Sequence, residues 1–294
     1  MTRIRPHCTL FFAAALAAFA QSAHVALSDR LRAWVGEIES LSGGKVIPAR
    51  IYTDPLRNQL QLPADADEPQ VLARYLSDPG FRAQFTAAHA LSLNYQGPEG
   101  RLHYVLLNMA FGDQWAAEGE EGLIGHELGH AWLNARGYRA PEYVPGPRAC
   151  VALLAGDIVQ HVLIRAEMDR RGIPFREFWV RQLEAENPES GAGPCRRLIL
   201  LAQLVDARLG LGQARWEGLA RLEEKVARSN PLIPPYAGAI SEFLRGAELG
   251  NEAGFGRALE FVRRQLERLY DGLPAGSGLR SQLSENKEEI SAPH

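Results

Sequence analysis

The chain has 294 residues, of which 46% are hydrophobic and 23% charged, the composition of a globular protein with enough apolar material for one sizeable core. Its formal charge of −3 leaves no electrostatic footprint for nucleic acid, which is not expected as a partner.

At the N-terminus, Arg3 and Arg5 precede an apolar run, residues 9–20, that is too short to span a bilayer comfortably. This is the pattern of a secretory signal, and the small residues Ala18 and Ala20 fit cleavage before Gln21. Residues 1–20 are therefore read as a signal peptide and the protein as periplasmic or secreted, with no stable membrane insertion once the signal is removed. An uncleaved anchor is the alternative. No later stretch reads as a transmembrane helix. Cleavage removes Cys8 and leaves Cys150 and Cys195, an even pair expected to form a disulfide in an oxidising compartment, with two free thiols as the alternative.

Ser28-Asp29 predicts a helix start, and the apolar positions Leu31, Trp34, Val35, Ile38 and Leu41 run to Gly43-Gly44. Residues 46–52 are short and β-branched, and Pro48 predicts an edge or irregular strand. Helices are expected over 68–76 and 81–88, and a hairpin over 90–95 and 102–109 around a Gly/Pro turn. The next helix is placed at 120–136, closed by Gly137, and a long one at 148–171, ended by Gly172 and Pro174. Further helices are expected over 175–186, 195–209, 213–228, 236–248 and 252–270. The polar tail, 275–294, reads as disordered. The fold class is α+β and mostly helical: a small β-sheet (46–109) beside a pair of helices (120–171), then a helical subdomain (174–272), all within one domain, 21–274.

Within the 120–136 helix stands His126-Glu127-Leu128-Gly129-His130. The HExxH spacing puts both imidazoles on one helix face, where they can bind one Zn²⁺. Glu127, about 100° round the helix, can serve a water activated by that metal as general base. Leu123, Ile124, Leu128, Ala131 and Trp132 supply the apolar setting that such a helix needs. A capped surface helix with two ordinary histidines is the plain alternative.

In the 148–171 helix, residues 150–164 carry only Asp157 and His161 as ionisable side chains besides the thiol, one turn apart on an apolar helix. Burial of either without a partner is costly, so each needs a neighbour or a metal. His161 is the preferred third ligand, with Asp157 orienting an imidazole or acting as an alternative ligand. A buried Asp–His pair without metal is the competing reading. Arg165, one turn further, is expected to pair with Asp157 or to hold a substrate carbonyl or C-terminus.

On the HExxH string the chain resembles the zincin group of zinc metallopeptidases. Leu133 and Arg136 stand where the metzincin pattern needs glycine and histidine, so the layout is most similar to that of gluzincins, whose third ligand comes from a second, downstream helix. The resemblance covers residues 91–171, about a quarter of the chain, and only HExxH is motif-specific. It implies hydrolysis of peptide bonds, a peptide or protein substrate, Zn²⁺ as cofactor, and substrate laid along an edge strand, for which 102–109 is the choice here. It also makes Glu167 a family-type alternative ligand, although Arg170 and Arg171 beside it predict a solvated ion-pair face. Tyr138 and Tyr143 are candidate oxyanion donors by position. Two other functions remain open: a non-catalytic binding or regulatory module, which has no need of Glu127, and a zinc hydrolase acting on cell-wall cross-links.

Overall fold

In a computed structural model, which describes residues 25–54, 59–61, 70–98, 100–115, 117–138, 146–186, 188, 193–211 and 216–273, helix α1 (Asp29–Ser42) starts and stops where the sequence signals it. The Ser28 hydroxyl accepts the Leu31 N–H at 3.4 Å, and Gly43, with φ of 65°, closes the helix in the left-handed region. The predicted signal peptide and the predicted disordered tail lie outside the described residues.

Strands β1 (Lys45–Asp54), β2 (Gln59–Gln61), β3 (Ala90–Gly97) and β4 (Gly100–Asn108) form one mixed sheet in the order β2-β1-β4-β3. β1 runs antiparallel to β2 and parallel to β4, while β3 and β4 form the expected hairpin. Two expectations change. β1 is an inner strand despite Pro48. Among the described residues β2 meets β1 only from Tyr52 to Asp54, and alongside Pro48 the strand pairs with β4, which is why the proline is tolerated. The 102–109 segment, expected at an edge, is β4 and is paired on both sides, so no peptide can add to it. The edge belongs to β3.

Both faces of the sheet are covered, which explains the unbroken apolar run in β4. Tyr104 and Leu106, with Ala49 and Ile51, pack under α2 (Gln70–Ser77) and α3 (Pro79–Phe85), where Leu72, Phe81 and Phe85 meet them. Val105 and Leu107 point the other way, into a core shared with α4 (Ala117–Ala135). There Trp132 of α4 meets Trp34 of α1 edge-on, with centroids 6.3 Å apart.

The remainder is helical: α5 (Ala149–Arg171), α6 (Arg176–Ala185), α7 (Pro194–Asp206), α8 (Gly218–Ser229), α9 (Ile233–Gly246) and α10 (Glu252–Tyr270). The helix expected over 195–209 changes at Asp206 into a π-helical turn, Ala207–Leu211. Contrary to expectation, α5 is long and apolar enough to cross a membrane by length and composition. Here it is the central helix of the bundle, packed against α4, α7 and α10, with Ala155, Ile158, Val159, Ile164 and Met168 in the core. Cys150 and Cys195, in the first turns of α5 and α7, form the expected disulfide, with Cα atoms 5.8 Å apart. Its sequence separation of 45 corresponds to a stabilisation of about 4 kcal/mol in the chain-entropy model.

Candidate metal centre

His126 and His130 project from one face of α4 towards α5, and the two helices approach closely because glycines line α4 at their contact. A Cβ on Gly129 would lie 2.5 Å from Ile164 Cγ2, and one on Gly125 would lie 3.2 Å from Met168 Cε. Gly129→Ala is expected to force the helices apart, costing about 1–3 kcal/mol and weakening metal binding. Urea denaturation and zinc titration measure the two effects. An alanine variant matching wild type in both would show that the contact has room to spare.

Across that contact stands His161 of α5. One nitrogen from each of His126, His130 and His161 converges to within 4.8 Å of the others, the one such group among the described residues. The Nε2 atoms of His126 and His130 are 3.3 Å apart. A tetrahedral centre with Zn–N bonds of about 2.05 Å spaces its ligands by about 3.4 Å, so the donor set fits a metal ion.

Outer partners fix the rings. His130 Nδ1 donates to Gln160 Oε1 at 2.9 Å, and Gln160 Nε2 donates in turn to the Tyr138 carbonyl at 2.9 Å. His161 Nδ1 bonds Asp206 Oδ2 at 2.8 Å, while Arg165 Nη1 holds the other oxygen of Asp206 at 2.8 Å. The Arg165 guanidinium lies over the Trp179 ring, 4.9 Å from its centroid. With Nδ1 occupied in both rings, Nε2 is the atom left for a metal.

Burial disfavours the imidazolium at His126 and His130, and the nearby His161 charge adds to the effect. The pKa of His130 falls to about 3 and that of His126 is also lowered, so both rings carry a free lone pair at neutral pH. Burial acts the same way on His161, but the Asp206 carboxylate outweighs it and raises the pKa. A cation entering the centre therefore competes with a proton chiefly at His161.

Glu127 is 8% exposed, and burial pushes its pKa up to about 8, with His161 opposing the shift and Asp157 adding to it. Its carboxyl is hydrogen-bonded to the backbone of Ser92 in β3. The edge strand beside the site is thus β3, and not the 102–109 strand expected there.

Several expected roles change hands. Asp157 lies close enough to raise the pKa of Glu127, and burial raises its own. The carboxylate that orients His161, however, is Asp206, and Arg165 pairs with Asp206 instead of Asp157. Glu167 stands outside the converging set. It takes Arg170 Nε at 2.8 Å and Arg171 Nε at 2.6 Å, the ion pairs expected there, with Glu167 and Arg171 themselves buried and Arg170 and Glu37 open to solvent. The Tyr138 hydroxyl donates to the Gly250 carbonyl and its ring packs on Phe255, so it is not aimed at the centre. Tyr143 lies outside the described residues.

A cavity of about 240 Å³ opens beside His126 and His161, walled by Leu123, Met168, Phe175, Phe178 and Trp179. Sequence reasoning missed this α6 wall, and it missed Gln160 and Asp206. For Asp206 a signal existed: it is the one ionisable residue of 198–207, in a run that is otherwise apolar except for Gln203, which is the argument that singles out Asp157 and His161. Compared with models of protein families, with curated proteins and with solved structures, the chain matches none of them.

Proposed function

We propose that this chain is a zinc-dependent hydrolase of peptide bonds in the periplasm or outside the cell, with His126, His130 and His161 as ligands and Glu127 as general base. The observation that carries the reading is the convergence of three imidazoles, two of them held by outer partners, beside a buried carboxyl. A structural zinc closes its shell with four protein ligands, whereas three leave a position for water or substrate. When bound, zinc supplies a Lewis acid that acidifies water and polarises a carbonyl. Glu127 takes the proton of the attacking water and returns it to the leaving amine. Burial raises the pKa of this carboxyl to about 8, and a bound cation would lower it, favouring the ionised form that a base needs. Gln160 and Asp206 hold the ligand rings so that the centre does not reorganise during the reaction. The Cys150–Cys195 bond supports an oxidising compartment.

One zinc per chain is expected by elemental analysis after reconstitution at neutral pH, and His126→Ala should lose both metal and activity. A reconstituted wild-type chain without metal would sink the reading.

The cavity beside the ligands supports an apolar preference. Its 240 Å³ exceeds the roughly 150 Å³ that holds a benzene ring, so it takes one aromatic or branched aliphatic side chain. Its one carboxylate, Asp206, is already engaged by His161 and Arg165, which leaves nothing to pair an incoming positive charge. Peptides with Phe, Leu or Met next to the scissile bond should be cleaved about 10–200 times faster than those with Gly or Lys there. A peptide library read by mass spectrometry tests this, and equal cutting beside lysine would remove the cavity from substrate recognition.

A further inference from the structure

We propose that the Cys150–Cys195 disulfide sets the register of α5 against α7 and thereby holds Asp206 on His161, making it a positioning element of the metal centre. The bond and the contact share one interval: the disulfide joins residues 45 apart in sequence, and His161 and Asp206 are also 45 apart. Cys150 therefore precedes His161 in α5 by the same number of residues as Cys195 precedes Asp206 in α7. That distance is about three helical turns, roughly 16 Å. After three turns a helix returns to nearly the same face, so each cysteine shares a stripe with the site residue below it. Equal intervals on two packed helices mean parallel helices with no axial offset between the bond and the contact.

Apolar packing fixes this offset poorly. The buried face of α7 is aliphatic, with Leu198, Leu201, Leu204 and Val205, and burial of such side chains is non-directional, so it opposes a small axial slide weakly. The polar contact is far less tolerant. A slide of about 3 Å without rotation, two residues' rise, takes Asp206 beyond hydrogen-bond distance of His161. Asp206 would leave His161 and Arg165 together, and the third ligand would lose its orientation. The disulfide is the covalent tie that forbids the slip, at the opposite end of the same two stripes.

The proposal rests on the zinc reading for its first readout. Zinc affinity, by competition with a chromogenic chelator, is to be compared among wild type, Cys150→Ser/Cys195→Ser, Asp206→Asn and the triple variant, at a temperature where circular dichroism shows all four folded. The double-serine variant should bind zinc about ten- to a hundredfold more weakly, as should Asp206→Asn, and the triple variant no more weakly than either. Full affinity in a folded double-serine variant, or losses that multiply in the triple, would overturn the proposal. Reduced wild type rejoined through a long flexible bismaleimide offers a second route, also usable if the serine variant does not fold. The thermal midpoint should recover and the zinc affinity should not; recovery of both would reduce the bond to a staple. A third readout needs no metal: the Nδ1 proton of His161, seen by ¹⁵N-edited NMR in the metal-free protein, should be protected from exchange with the disulfide intact and unprotected in the double-serine variant. If wild type takes up no zinc, the zinc reading falls and this comparison alone decides the register, with equal protection counting against it.

Discussion

Glu127→Gln is expected to keep its zinc and its melting temperature while hydrolysis of an unstructured protein such as casein falls about 10²–10⁴-fold. Glutamine has nearly the size of glutamate, and its amide oxygen can keep the hydrogen bond to the Ser92 backbone. It cannot accept a proton. Glu127 is also not one of the converging nitrogen donors, so its loss leaves the ligand set intact. Removal of a carboxyl whose ionisation burial opposes should cost the fold little. The separation of effects is the diagnostic: metal and stability held, rate lost. Equal activity in both proteins would take Glu127 out of the mechanism. A rate loss seen on cell-wall fragments and not on peptides would move the substrate to cell-wall cross-links. If both proteins are inert on either substrate yet retain zinc, the chain is better described as a binding module.

What was legible in the sequence was local. The capped start of α1, the hairpin β3–β4 and the HExxH helix α4 each follow from residues within a few turns of one another. The mostly helical α+β class follows from the same punctuation. The sheet order did not, because the parallel pairing of β1 with β4 joins segments about fifty residues apart and leaves no mark in either strand. The edge role given to 102–109 came from the resemblance to zincins and not from its residues, whose apolar run fits a strand buried on both faces. At the site, buried polar residues on an apolar helix led to His161, but its orienting carboxylate lies on another helix. Asp157, one turn away on α5, was the local choice, and only the packing of α7 hands the role to Asp206. The glycines at 125 and 129 read as ordinary small residues until the position of α5 shows what a methyl group would strike.

His161→Ala and Glu167→Ala should separate the two candidates for third ligand. If the about 10–16 kcal/mol of a four-ligand zinc site is shared evenly, one ligand contributes about 3–4 kcal/mol, so His161→Ala should weaken zinc binding by two to three orders of magnitude. The cavity left by the imidazole opens into an existing one, but the buried Asp206 loses one of its two partners, so the fold should also lose about 1–3 kcal/mol. Glu167→Ala should lose stability alone. It leaves zinc affinity unchanged, because the carboxylate is turned to Arg170 and Arg171 and away from the imidazoles. It strips a partner from Arg171, whose side chain is only 11% exposed, and leaves it the half-open Glu37 alone. An uncompensated buried donor of this kind costs about 1–3 kcal/mol. Chelator competition and urea denaturation on both variants give four numbers, and zinc affinity separates them: it falls with His161 alone, while Glu167→Ala loses stability and keeps its zinc. If zinc is lost with Glu167 and kept without His161, the ligand set becomes the gluzincin one, and the α5 face that carries Glu167 must then turn towards α4 when metal binds.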